Sequence, residues 1–155
     1  MTGATKRSVQ PIPDGSHTVT TYLVAEGIPK LIDFLKQAFG AQELARLALP
    51  DGKVAHAEVK IGDSKLMMGA AMGDWKAQPC SLYLYVEDVD AVHQRAVQAG
   101  GTSVRKPADQ FYGDRTGGVM DPCGNYWGIG THIEDVSHEE MEKRFAAMAA
   151  QQQET

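Results

Sequence analysis

TYLVAEGIPKLIDFLKQAFG, residues 21–40, is the stretch whose reading decides the fold. It completes a run, TVTTYLVA (18–25), that is rich in β-branched and aromatic residues and reads as a strand. Gly27 breaks that run, and Pro29 stands where a helix accepts proline, in its first turn. Leu31, Ile32, Phe34, Leu35, Ala38 and Phe39 then recur every three or four residues, which predicts a helix with one buried face. Gly40 is placed to end it. Three strand-like runs follow, ELARLALP, VAHAEVKIG and KLMMGA, joined by turns at Asp51-Gly52 and Asp63-Ser64.

The same order recurs 61 residues later, starting from SLYLYVED (81–88), where Asp88 is placed to cap a helix that runs to Gly100-Gly101. That shift lays Leu23-Val24-Ala25-Glu26 on Leu84-Tyr85-Val86-Glu87, Gly40 on Gly101, and Leu66-Met67 on Trp127-Gly128. One offset at both ends of the unit indicates a repeated strand-helix-strand-strand-strand module. Each module is too small to bury its own sheet face, so the two should pair around a cleft. The expectation is an α+β domain of two βαβββ modules forming a curved mixed β-sheet, the first over about 17–72 and the second over about 80–136. Residues 1–16 read as a mobile tail, and 137–155 as a C-terminal helix and tail in which Ser137 and Glu140 fit a capping box.

At 155 residues the chain suits one domain with a real core. Apolar residues make up 43% and charged residues 23%, which fits a soluble globular protein. A net charge of −5 and no Lys/Arg run argue against a nucleic-acid surface. No apolar stretch approaches the roughly 18 residues of a membrane span, and the opening MTGATKRSVQPIPDGS lacks the apolar core of a secretory signal. Cys80 and Cys123 have no metal-type spacing, and no base partner marks Cys123 as a nucleophile. A reduced, cytoplasmic protein is expected.

The repeated βαβββ plan, over residues 18–136, resembles the vicinal oxygen chelate superfamily, which includes glyoxalase I, extradiol dioxygenases and the bleomycin- and fosfomycin-resistance proteins. IDFLKQAFGAQEL, HAEVKIGDSKLMM, LYVEDVDAV, FYGDRTGG with DPCGNYW, and THIEDVS look similar to its PhnB-like branch. The resemblance implies a homodimer and, in the metalloenzymes, one divalent metal held by His and Glu on four strand positions, two per module. Those positions fall at Thr20, Met67, Ser81 and Gly128. Thioether sulfur suits a hard divalent ion poorly and glycine offers no ligand. Moving the alignment by one residue, to Val19, Thr21, Met68 or Ile129, does not restore the set. No metal cofactor is therefore expected.

Other residues remain as candidates. His56 and Glu58 share one strand face, either as a proton-transfer pair or as the solvated side of a half-buried strand. In Gly113-Asp114-Arg115, Arg115 either presents a forked donor to an anionic ligand or forms a local brace with Asp114. Tyr112 and Trp127 offer stacking surfaces, and Met67 an adaptable apolar wall. Gly128 and Gly130 leave one face of their strand bare, either for a ligand or for close packing. A displaced metal site of His17, His56, Glu58 and His132 is the remaining metal arrangement. Two functions compete: a metal-free binder of a small organic molecule, and a lyase, isomerase or dioxygenase-type enzyme using a relocated metal or His56/Glu58 acid–base chemistry.

Overall fold

Tyr22 pairs with Met67 in one parallel ladder and Tyr83 pairs with Gly128 in another. Both partners stand 61 residues apart in the two ladders, so the repeat in sequence is a repeat of hydrogen-bond register. The computed structural model describes residues 8–154; the first part of the expected N-terminal tail, 1–7, lies outside the described residues. Module 1 contains β1 (Thr21–Ala25), α1 (Ile28–Phe39), β2 (Gln42–Ala48), β3 (Val54–Ile61) and β4 (Ser64–Ala70). Module 2 contains β5 (Ser81–Tyr85), α2 (Val89–Gln98), β6 (Thr102–Asp109), β7 (Asp114–Met120) and β8 (Tyr126–His132). The helix α3 (His138–Gln153) follows. The architecture is α+β, as expected, with the curved mixed sheet built as two four-stranded sheets of order β1-β4-β3-β2 and β5-β8-β7-β6. In each, the first strand closes on the last in parallel and the other pairs are antiparallel.

The turn chemistry follows the residues. Gly27 and Gly40 bracket α1 in left-handed conformation (φ 77° and 67°), which a side chain would strain. Asp88 caps α2 by accepting from the Ala91 amide at 3.1 Å. Alternation then directs Leu23, Val59, Met68, Val119, Trp127 and Ile129 toward the helices, where they are buried. Phe39, at the end of α1, packs on Phe34 and on Trp127 of the second module, with ring centroids 5.6 and 5.0 Å away. That stack pins the modules together.

The DPCGN turn between β7 and β8 is organised by one carboxylate. Asp121, 4% exposed, accepts from the amides of Cys123 (2.8 Å) and Asn125 (3.0 Å), from Asn125 Nδ2 (2.9 Å) and from Trp127 Nε1 (2.9 Å). Asn125 Oδ1 in turn accepts from the Cys80 amide at 3.0 Å, tying the turn to the start of β5. The acidic opening of this segment is therefore structural.

Half of the capping box at α3 forms. Ser137 accepts from the Glu140 amide at 3.2 Å, but the Glu140 carboxylate turns to Arg144. Arg144 also donates to Glu134 and to the Phe111 carbonyl, and Phe145 packs on Phe111. No residue of α3 is buried, so these contacts are its attachment. Among the described residues no helix is long and apolar enough to cross a membrane.

Asp121→Ala would leave four buried or half-buried donors without their acceptor. We expect a loss of about 3 kcal/mol of stability, roughly 10 °C in Tm for a chain of this size. A thermal melt within a degree or two of wild type would refute the role given to this carboxylate.

Candidate functional site

Each sheet has one face under the helices and one open face, and period-2 alternation decides which residues reach the open side. On the first sheet these are Tyr22, His56, Glu58, Met67 and Gly69, which the ladder register places side by side. His56 Nδ1 lies 3.3 Å from the Tyr22 hydroxyl, and His56 Nε2 lies 3.6 Å from Glu58, within ion-pair range but too long for a hydrogen bond. Trp75, from the connection between modules, packs on Tyr22 at 5.7 Å. A cavity of about 340 Å³ opens beside this group, between Thr20, Glu58, Met67 and the segment carrying Ile12 and His17. Two bonds hold the segment in place: the Thr20 hydroxyl donates to the His17 carbonyl at 3.2 Å and Lys65 Nζ to the Asp14 carbonyl at 2.8 Å.

On the second sheet the open face is built around Asp114, which is 4% exposed. Its Oδ2 accepts from the hydroxyls of Tyr83 and Tyr85, each at 3.0 Å, and its Oδ1 bonds His132 Nδ1 at 2.9 Å. His132 Nε2 bonds Asp135 at 2.7 Å. Burial pushes the Asp114 carboxyl up, but the bonds from His132, Tyr83 and Tyr85 outweigh it, and its pKa ends below the ordinary carboxylate value. Burial, with the adjacent carboxylate, pushes the Tyr83 phenol up to about 12 against the opposing Thr116 bond, so it stays a proton donor at neutral pH. His132 is shifted upward by the Asp135 bond first and the Asp114 bond second.

The bare glycines have a definite use. A Cβ on Gly130 would collide with the Tyr83 hydroxyl and one on Gly128 would sit 2.9 Å from its ring, so Tyr83 lies on the space they leave. The first module repeats the device, because a Cβ on Gly69 would stand 2.5 Å from the Tyr22 hydroxyl. Close packing by a neighbouring strand's side chain, one of the two readings of this bare face, is what the structure contains.

The structure gathers some sequence candidates and separates others. His56 and Glu58 face the same side together, with Met67 next to them. Asp114 and Arg115 begin strand β7 and point to opposite faces. Arg115 reaches the helix side, where it donates to Asp90 at 2.8 and 2.9 Å and to Asp109 at 3.0 Å. It is neither braced on Asp114 nor aimed at the open face. Trp127 is 2% exposed in the core, and its place on the open side is taken by Gly128. Tyr112 packs edge-on to Phe111 with centroids 5.2 Å apart. Sequence reasoning passed over Tyr22, Trp75, Tyr83 and Tyr85 as site residues. Tyr22 and Tyr83 carried a signal, since the 61-residue shift superimposes them; Trp75 carried none.

A larger concavity, about 940 Å³, lies between the Ile61–Ser64 turn, β5 and the polar outer side of α2, away from Thr20 and Met67. It too is lined by polar groups from several segments, but the smaller cavity is the one bordered by Thr20 and Met67, two of the four positions implied for a metal ligand.

A family model described as the Glyoxalase/Bleomycin resistance protein/Dioxygenase superfamily matches residues 16–129. The chain belongs to that superfamily. An uncharacterized protein of Mycobacterium bovis is 37% identical over 144 residues, spanning 86% of this chain and 93% of that one. An uncharacterized protein of Mycobacterium tuberculosis is also 37% identical over 144 residues, spanning 86% of this chain and 83% of its own. Among solved structures, TioX from Micromonospora sp. ML1 superposes with a TM-score of 0.66 at 22% identity, over 76% of this chain and all (100%) of that one. Protein PA1353 from Pseudomonas aeruginosa gives 0.63 at 21%, over 77% and 100%. At these identities the structural likeness speaks for the fold. Within this glyoxalase-like frame the four positions implied for a metal carry a hydroxyl, a thioether, a hydroxyl and no side chain. That donor set does not fit a hard divalent cation. Among the described residues, no three His, Cys, Asp or Glu side chains converge to replace it, His17, His56, Glu58 and His132 included.

Two outcomes follow from the second face. The upward shift of His132 means its contribution to stability is complete below its ordinary pKa of 6.5 and is lost as pH rises through the raised value. Asp114 has the opposite sign: its contribution is present above 3.8 and is lost as pH falls through the lowered value. An NMR titration should place the His132 midpoint above 6.5, moving down toward it in Asp135→Asn; an identical midpoint in the variant would dissolve the network. Gly130→Ala should displace Tyr83 and cost about 2 kcal/mol, read as a lowered Tm together with a lowered Tyr83 pKa on spectrophotometric titration.

Proposed function

We propose that this protein is a binder of small organic molecules that works without the superfamily's usual metal, in the PhnB-like branch, with residues 17–136 as its glyoxalase-like domain. The observation that carries the reading is the cavity of about 340 Å³, which is bordered by Thr20 and Met67, two of the positions where a metal ligand would stand. Its volume lies within the range of small-molecule sites, and its lining mixes apolar groups (Ile12, Met67) with a few polar ones (His17, Thr20, Glu58). The expected setting is the cytoplasm and the expected state a homodimer. The cavity is lined by the first module and the segment before it, rather than by both modules, so a dimer cleft is the form of the expected ligand site that remains compatible with it.

A second reading has its own observation. His56 and Glu58 stand 3.6 Å apart on an open face, with Tyr22 on the other imidazole nitrogen. An imidazole with a carboxylate 3.6 Å away, near enough to stabilise its charged form without a hydrogen bond, is suited to proton transfer. The chain would then be a lyase or isomerase in which His56 moves the proton and Glu58 holds the imidazolium that forms.

A thermal-shift series on EDTA-treated protein separates the possibilities. A bound ion at a hundredfold excess over Kd adds about 2.7 kcal/mol to stability, which no melt would miss. We expect no saturable shift with Mn, Fe(II), Co, Ni or Zn; a shift with one of them that disappears in His56→Ala would end the metal-free reading. Between binder and enzyme, His56→Ala decides once a ligand is found. Binding predicts a change in affinity of less than about tenfold, whereas acid–base catalysis predicts a fall in turnover of about a hundredfold or more.

A further inference from the structure

We infer that the open face of the second sheet takes an organic cation, an ammonium carried on methyl or aromatic carbon, with Tyr83 and Tyr85 as walls and carboxylates around it. The inference goes beyond the reading above, since this face lies on the second sheet and shares no residue with the cavity of about 340 Å³, and it rests on that reading only in taking the protein to bind without a metal. Tyr83 and Tyr85 stand two residues apart on the edge strand β5, so both rings rise on the same side, 46% and 65% exposed. Their centroids lie 5.0 Å apart at 61°, two walls of a corner rather than a flat stack. Apolar rings this exposed on a folded surface call for an occupant, and the charge around them selects it.

Both hydroxyls donate to the buried Asp114. A phenol that donates to a carboxylate gains electron density in its ring, and a ring face already attracts cations through its quadrupole. Past Tyr85 the surface opens into a concavity of about 600 Å³ lined by Tyr85, Val86, Glu87, Thr131 and His132. Neither lysine nor arginine lines it among the described residues. Its ionisable groups are the Glu87 carboxylate and His132, which is itself held between Asp114 and Asp135. Tyr83, Tyr85 and Glu87 also border the larger concavity beside α2, where Arg95 stands with Asp63 and Asp88. With Asp114 and Asp135 on the imidazole of His132, carboxylates outnumber cationic groups and the local balance is negative. Arg115, the donor the sequence offered for an anionic ligand, is committed to Asp90 and Asp109 on the other side of the sheet. Arg105 is in register with Gly118 on the far edge strand β6, three strands and about 14 Å from β5 at ordinary sheet spacing.

The test is a set of three titrations on EDTA-treated full-length protein carrying 13C-labelled tyrosine. The probes are choline, its uncharged carbon isostere 3,3-dimethylbutan-1-ol, and benzoate. We expect choline to shift the Tyr83 and Tyr85 ring signals saturably, about tenfold more tightly than the alcohol. Glu87→Gln, an exposed and nearly isosteric change that does not threaten folding, should weaken choline binding several-fold without lowering Tm. Tyr85→Leu should weaken it as well and lower Tm, because it removes one of the bonds to Asp114. No choline-dependent shift, an alcohol that binds equally well, or benzoate binding more tightly overturns the cation assignment. If the alcohol binds the stripped protein as tightly as choline, or benzoate binds it more tightly, metal-free binding survives and the cation alone falls. If choline shifts appear only after a divalent metal is restored, the metal-free reading falls too.

Discussion

The parallel pairing of each module's first strand with its last is the constraint on which the structure depends. A parallel pair cannot be made with a tight hairpin and needs a long crossover. The chain meets that need with a helix and two further strands, and the helix then lies on one side of the sheet. Everything else about the faces follows. The side under the helices takes the aliphatic residues and Trp127. The other side is left open, and it receives whatever the sequence places at the alternate positions.

Those alternate positions show how a fixed scaffold changes its chemistry. With the backbone register repeated at 61 residues, Tyr22 and Tyr83 occupy equivalent sites, each lying over a glycine of the last strand. A ring laid on bare backbone fills space that a carboxylate-bearing side chain would otherwise claim. The hydroxyl at its end finds a different partner in each module, His56 in the first and Asp114 in the second. Two open faces of one plan thus differ in charge: the first carries a loosely paired imidazole and carboxylate, and the second a buried carboxylate clasped by two phenols and an imidazole.

The DPCGN turn illustrates why a motif and a role are different things. In sequence it opens like a site, with an acid, a proline and a glycine ahead of two aromatics. In the fold its acid is the acceptor for the turn's own amides and for the indole of Trp127. Arg115 reverses in the same way: a forked donor beside a glycine, read as a ligand contact, spends its fork on Asp90 and Asp109. The turn's acid is used up by donors within six residues of it, Cys123, Asn125 and Trp127, whereas the fate of Arg115 depends on Asp90, 25 residues away, and on which face of β7 it occupies.

The sequence by itself determined the module, its repetition and the helix ends, since these rest on period, offset and the conformational freedom of Gly27 and Gly40, all local properties. It also determined which chemistries sit at Thr20, Met67, Ser81 and Gly128. Only the tertiary structure decided which candidates meet. Tyr83, Tyr85, Asp114, His132 and Asp135 come from three segments, and they become one network only when β5, β7 and β8 lie side by side. Strand order and face are set by how the whole sheet buries its apolar side against α1 and α2, a global free-energy balance that no short stretch contains.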